Sequence, residues 1–120
     1  MKIAISSEGK NIKSPLDMRF GRCSYFQIYN TDSGEIEVLE NKGKTSNSAA
    51  GIAASNQLID EKVDVIITGH LGPNAFKLIE KCGIKAYKCE NIPVMLALEK
   101  YKNGELEKIK VAGSAKHGSN

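Results

Sequence analysis

Val65-Ile66-Ile67 constrains this chain more than any other stretch, because three branched apolar residues follow one another with no polar residue between them. Such a run suits a strand buried on both faces, which belongs to a parallel sheet with helices covering it. The flanking segments supply those helices. Residues 48–62 are predicted to form one, with Ile52, Ser55 and Ile59 sharing a stripe with Ala49 and Ala53. Ala49, Ala50, Gly51, Ala53 and Ala54 allow that helix to lie close on a sheet. After the strand at 63–68, Gly69-His70-Leu71-Gly72-Pro73 turns into a second helix, with Pro73 in the first turn, where its missing N–H costs nothing. Cys82-Gly83 stops that helix; a strand at 84–87 and a third helix at 93–102 follow. Strand–helix–strand–helix requires parallel pairing through right-handed crossovers.

The first half reads differently. Residues 2–6 form a short strand with Ile3 and Ile5 on one face, and a polar loop covers 8–17. Strands at 25–30 and 35–40 flank Asn30-Thr31-Asp32-Ser33-Gly34, a hairpin turn in which Gly34 supplies positive φ. Ile36 and Val38 alternate with Glu35, Glu37 and Glu40, so one face of that arm is wet. The order βββαβαβα predicts an α/β domain of three layers, α/β/α, on a mixed sheet. At 120 residues the chain is one domain's worth, expected to occupy 1–111. Residues 112–120 contain no apolar side chain larger than alanine and are expected to be a flexible tail that folding does not need.

Composition narrows the partners. Seventeen Lys and Arg against fourteen Asp and Glu leave a net charge of only +3, and the arginines are Arg19 and Arg22 alone. That balance does not point to nucleic acid. The longest mostly apolar run, 92–98, contains Pro93 and falls far short of the ~20 residues that a membrane helix needs. A secretory signal is not expected either, since only Ile3-Ala4-Ile5 separates Lys2 from serines and Glu8. Three cysteines in a chain large enough to fold without staples imply free thiols in a reducing compartment, the cytoplasm.

Two segments carry possible chemistry. Around Gly21, two arginines flank a turn and Cys23 follows; cations lower a thiol's pKa and favour thiolate, a nucleophile and soft-metal ligand. Equally, Cys23 is a small buried hydrophobe with solvated or paired arginines beside it. In the second segment, Gly69 and Gly72 let a ligand approach backbone at a helix N-terminus, with His70 as donor or ligand. Equally, these glycines serve only a tight turn. Cys82 is expected in the core and Cys89 facing the crevice near His70, while their spacing fits no zinc pattern and His117 lies in the tail. A two-metal nuclease site lacks its carboxylate in the first strand; phosphate-loop, dinucleotide, serine-triad and CxxC redox motifs are absent. Because the second strand is antiparallel, its start lies where strands one and four end. Gly21, Arg22, Cys23, Gly69 and His70 should therefore meet at one sheet edge.

Arg19-Phe20-Gly21-Arg22-Cys23-Ser24-Tyr25-Phe26 and Gly69-His70-Leu71-Gly72-Pro73-Asn74-Ala75-Phe76 together resemble the dinitrogenase iron–molybdenum cofactor biosynthesis family. That family includes NifX proteins, the NafY core domain and the C-terminal part of NifB. The resemblance runs from Lys2 to about Leu106 and implies a ribonuclease-H-like motif with five strands ordered 3-2-1-4-5, the second antiparallel. It also implies non-enzymatic binding or carriage of an iron–sulfur or molybdenum–sulfur cluster, exchanged with a metallocofactor assembly or acceptor protein. The expected cofactor-binding residues are Arg19, Phe20, Gly21, Arg22, Cys23, Gly69, His70, Gly72 and Asn74, with Cys23 and His70 touching metal. Nitrogenase-associated members often have a ligating histidine where this chain has Arg19, which cannot ligate because it stays protonated. With one thiolate the binding is labile or shared, so a monomer or weak homodimer is expected. The alternative is a small anion- or nucleotide-binding regulatory module built on the Gly69–Asn74 turn.

Overall fold

The unalternating run lies at the centre of the sheet, as its chemistry requires. In a computed structural model that describes residues 1–46 and 49–113, the elements are β1 (Lys2–Ser7), β2 (Tyr25–Asn30), β3 (Ile36–Glu40), α1 (Ala50–Asp60), β4 (Val65–Thr68), α2 (Pro73–Lys81), β5 (Lys85–Lys88), α3 (Val94–Lys102) and β6 (Glu107–Lys108). The sheet order is β3-β2-β1-β4-β5-β6. β4 is parallel to both β1 and β5, and β2 is antiparallel to both β1 and β3. The expected order 3-2-1-4-5 is therefore present, and β6 extends it as a sixth strand antiparallel to β5.

The pleat divides the core in two. Ala4, Phe26, Ile28 and Ile66 pack with Ala54 and Leu58 of α1 and Ala75 and Ile79 of α2 on one face. Ile3, Ile5, Val65 and Ile67 pack with Val94, Ala97 and Leu98 of α3 on the other. Three layers result. The buried residues of α1 include Ala50, Gly51, Ala54, Ser55 and Leu58; Ser55 and the core-packed Ile59 lie on the expected stripe, whereas Ala50 and Ala54 replace Ala49 and Ala53, and Ile52 is exposed. Ser48, the expected start of that helix, lies outside the described residues. Gly83 ends α2 with φ 76°, a left-handed value that glycine adopts freely.

The loop after β1 folds back on itself. The Glu8 N–H donates to the Pro15 carbonyl at 3.0 Å, and the Asp17 N–H to the Ser6 carbonyl at 2.9 Å. Its carbonyls then serve α3, which has no side-chain cap: Val94 N–H donates to Ser14 O and Met95 N–H to Ile12 O, both at 2.9 Å. First-turn N–H groups have no partner within their own helix, so this contact fixes the loop and the helix end together.

Candidate functional site

At the carboxyl ends of β1 and β4, Ser6 and Thr68 stand side by side, their hydroxyl oxygens 2.7 Å apart. Ser6 Oγ also donates to the Asp17 carbonyl at 2.6 Å, which draws the returning loop across the sheet edge. Asp17, buried, then anchors the arginine two residues on. It accepts from the Arg19 backbone N–H (2.9 Å), Nε (3.1 Å) and the terminal guanidinium nitrogen Nη2 (3.0 Å). Hydrogen bonding to Asp17 and then its charge raise the Arg19 pKa, while the side chain stays 61% exposed. The result is a permanent cation with a fixed base and an outer surface in water.

The two expected segments meet here. Arg19 and His70 pair as parallel neighbours, and Gly69 lies under Met18. A Cβ at Gly69 would sit 2.5 Å from Met18 Cε and 2.7 Å from its Cα, so only glycine permits the approach. Nε2 of the half-buried His70 is covered and has no hydrogen-bond partner among the described residues. Gly72 then enters α2 in an extended conformation with no side-chain cap, ahead of Pro73 and Asn74. Gly113 presses on the imidazole, and its N–H donates to the Leu71 carbonyl at 2.8 Å. Gly113, within the segment expected to be a tail, is thus hydrogen-bonded, while Ala112 before it is exposed and 114–120, including His117, lie outside the described residues.

Cys23 corrects an expectation. It is fully buried beside Phe20, Phe26 and Leu71, and its Sγ–H donates to the Phe20 carbonyl at 3.3 Å. Burial pushes the thiol pKa far up, and the charge of Asp17 adds to the effect. The arginines do not offset this. Arg19 is turned to Asp17, and Arg22 donates to the carbonyls of Lys44 (3.1 Å) and Ser46. Soft-metal ligation needs a thiolate, which burial disfavours at Cys23. Among the described residues no group of three or more His, Cys, Asp or Glu is placed to hold a metal ion. As placed here, Cys23 Sγ is buried and turned to the Phe20 carbonyl, and His70 Nε2 is covered.

Of the remaining thiols, Cys82 departs from its expected place. Cys82 is exposed at the end of α2 rather than in the core. Cys89 is buried; it lines a cleft of about 270 Å³ together with Met18, Lys88, Glu90 and Lys100. Burial raises its pKa as well. Asn41, which belongs to no motif of the sequence, fixes the Gly21–Cys23 turn. Its Nδ2 donates to the carbonyls of Gly21 (3.0 Å) and Cys23 (2.9 Å), and its Oδ1 accepts from Gly43 N–H (2.8 Å).

The edge thus offers a fixed guanidinium, a half-buried imidazole, a thioether and close backbone, and no accessible thiolate beside them. Chemically this suits an anion with a polarisable surface, held by charge and hydrogen bonds. No helix among the described residues is long and apolar enough to cross a membrane.

Known proteins match this arrangement along most of its length. An uncharacterised protein of Methanocaldococcus jannaschii is 30% identical over 111 residues, covering 90% of this chain and 91% of its own. The apo form of the orange protein from Desulfovibrio gigas superposes with a TM-score of 0.89 at 28% identity, covering 94% of this chain and 96% of that one. A candidate NifB protein from Thermotoga superposes with a TM-score of 0.84 at 31% identity, covering 96% and 98%. The profile of the dinitrogenase iron-molybdenum cofactor family matches residues 1–104, which include both segments of the sheet edge. By sequence and fold together, the chain belongs to the dinitrogenase iron-molybdenum cofactor family.

Proposed function

We propose that this chain is a non-enzymatic accessory protein of metallocofactor assembly that carries an anionic iron–sulfur or molybdenum–sulfur cluster at the carboxyl edge of its sheet. One observation carries the reading: the backbone pairing of Arg19 with His70 brings the two segments together at the sheet edge, where Asp17 pins the Arg19 guanidinium with its outer surface in water. Arg19 supplies charge and His70 a donor. Gly72 and the N-terminal turn of α2 at Asn74 supply backbone, and Gly69 lets Met18 close down on the edge. Phe20, Gly21, Arg22 and Cys23 hold the Arg19 segment in place from beneath. The cargo is retained without a cysteine bond, so it leaves intact when an acceptor protein offers thiolates, as a carrier in the reducing cytoplasm requires. One relative, the orange protein, is described in an apo form and thus has a state with a bound group; membership of the cofactor family supports the same reading.

The test is anaerobic incubation with tetrathiomolybdate and copper(I), and separately with iron(II) and sulfide, followed by gel filtration. Visible absorbance should co-elute with the protein in one of the two. No coloured protein from either, with ATP or orthophosphate binding instead, would place the chain with the anion-binding regulatory modules.

A further inference from the structure

The two faces of the sheet are unequally covered. α1 and α2 share one face, whereas α3 alone lies on the other, over β1 and β4. On that second face the register sets Tyr29 and Gln27 of β2 beside Ile36 and Val38 of β3; α3 reaches as far as Tyr29, which packs against its core cluster, and Ile36 lies at the exposed margin beyond. Ile36 (37%), Met95 (42%) and Ile12 (39%) stand exposed around this strip. Between them is a cavity of about 100 Å³ walled by Ile5, Val94 and Leu98.

Gln27 lines the cavity and is itself 1% exposed. Its Nε2 donates to Ser7 Oγ (3.0 Å), Gly9 O (3.2 Å) and Asn11 O (2.8 Å). Two of these are carbonyls, which only accept, so the amide cannot be turned round. Its Oε1 has no partner among the described residues. A buried acceptor without a donor is costly, and here it lies in the wall of an apolar recess.

Cations rim the same face. Lys102 Nζ stands 4.5 Å over the Tyr29 ring and donates to its hydroxyl, and Lys10 Nζ stands 5.5 Å over Tyr25. In the chain, Lys13 follows Ile12, while Glu35 precedes Ile36 and Glu8 precedes Gly9. A two-fold pairing of this face with a second copy would bring the lysines of both copies into one interface.

We propose that this strip, from Ile12 and Met95 across Tyr29 to Ile36, docks a partner polypeptide that inserts one large apolar side chain into the cavity and sets carboxylates against Lys10, Lys13 and Lys102. An aromatic anchor that also carries an N–H or O–H serves Gln27 Oε1. The surface is independent of the cluster site.

The test is selection of a phage-displayed random 12-residue library on the wild-type chain, with the I36E/M95E variant as counter-selector. Both substituted positions are exposed, and circular dichroism checks that the fold is kept. Enriched peptides, synthesised and measured by fluorescence anisotropy, should combine an aromatic or large aliphatic residue with at least two carboxylates. Their affinity should fall tenfold or more for I36E/M95E and for K102E. No enrichment over the variant, peptides without acidic residues, or equal affinity for all three proteins overturns the proposal. So does a wild-type dimer in sedimentation that I36E/M95E abolishes, since the occupant is then a second copy.

Discussion

Arg19 and His70, distant in the chain, run side by side as parallel neighbours, and Asp17 holds the arginine there with three hydrogen bonds. The pairing depends on Gly69, because its Cα passes directly beneath Met18. Gly69→Ala places a Cβ 2.7 Å from the Met18 Cα, which side-chain rotation cannot relieve. Steric shifts of this kind typically cost about 1–3 kcal/mol. The variant should fold with a lowered urea midpoint and displaced His70 ring signals by NMR. Unchanged ring signals would mean that the two segments are held together elsewhere.

Thiol reactivity separates the three cysteines. Cys82 is exposed, whereas Cys23 and Cys89 are buried with raised pKa values. Brief iodoacetamide treatment of the folded protein at pH 8 should label Cys82 and spare the other two, as read by peptide mass. Rapid labelling of Cys23 would contradict its place in the core.

The Asn41 side chain joins two loops through three hydrogen bonds to backbone groups and a fourth, at 3.6 Å, to Cys23 Sγ. Asn41→Ala leaves two carbonyls and an N–H without partners. At about 1 kcal/mol or more for each buried group left unsatisfied, the variant should lose roughly 2–4 kcal/mol in chemical denaturation. A loss below ~0.5 kcal/mol would mean that water replaces the amide fully.

Much of this fold is legible in the residues. Val65-Ile66-Ile67 fixed a central strand, and the turn at Gly34 fixed the hairpin beside it. β6 was not legible, because two exposed residues, Glu107 and Lys108, form no periodic pattern. On α1, Ser55 and Ile59 were legible, but the alanines at 49, 50, 53 and 54 make neighbouring faces equally apolar, so the buried pair, Ala50 and Ala54, was not. At the site, nearness in sequence misled. Arg19 and Arg22 flank the Cys23 turn, yet Asp17 takes one guanidinium and the carbonyls of Lys44 and Ser46 take the other. Asp17 two residues before Arg19 was the available signal for the first of these pairs.

Buried thiols also set an alkaline limit. Burial raises Cys23 and Cys89 above the ordinary thiol, so the native state keeps protons that the unfolded chain releases above about pH 8.5. With fewer protons bound when unfolded, stability is intact below that pH and falls above it, by up to about 1.4 kcal/mol per pH unit for each thiol. The fall in urea midpoint between pH 7.5 and 10 should be smaller in Cys23→Ala than in wild type. Equal falls would show that Cys23 ionises readily in the fold.

The central claim is that charge, and not a thiolate, retains the cargo. Its most direct measurement is the dissociation constant for the tetrathiomolybdate–copper species, by anaerobic visible titration of wild type, Cys23→Ala, Arg19→Lys and Arg19→Gln. Cys23→Ala and Arg19→Lys should bind within about threefold of wild type, whereas Arg19→Gln should bind at least about tenfold more weakly, a difference of ~1.4 kcal/mol. Loss of colour in Cys23→Ala, with Arg19→Gln binding like wild type, would contradict the account and return the cluster to the cysteine.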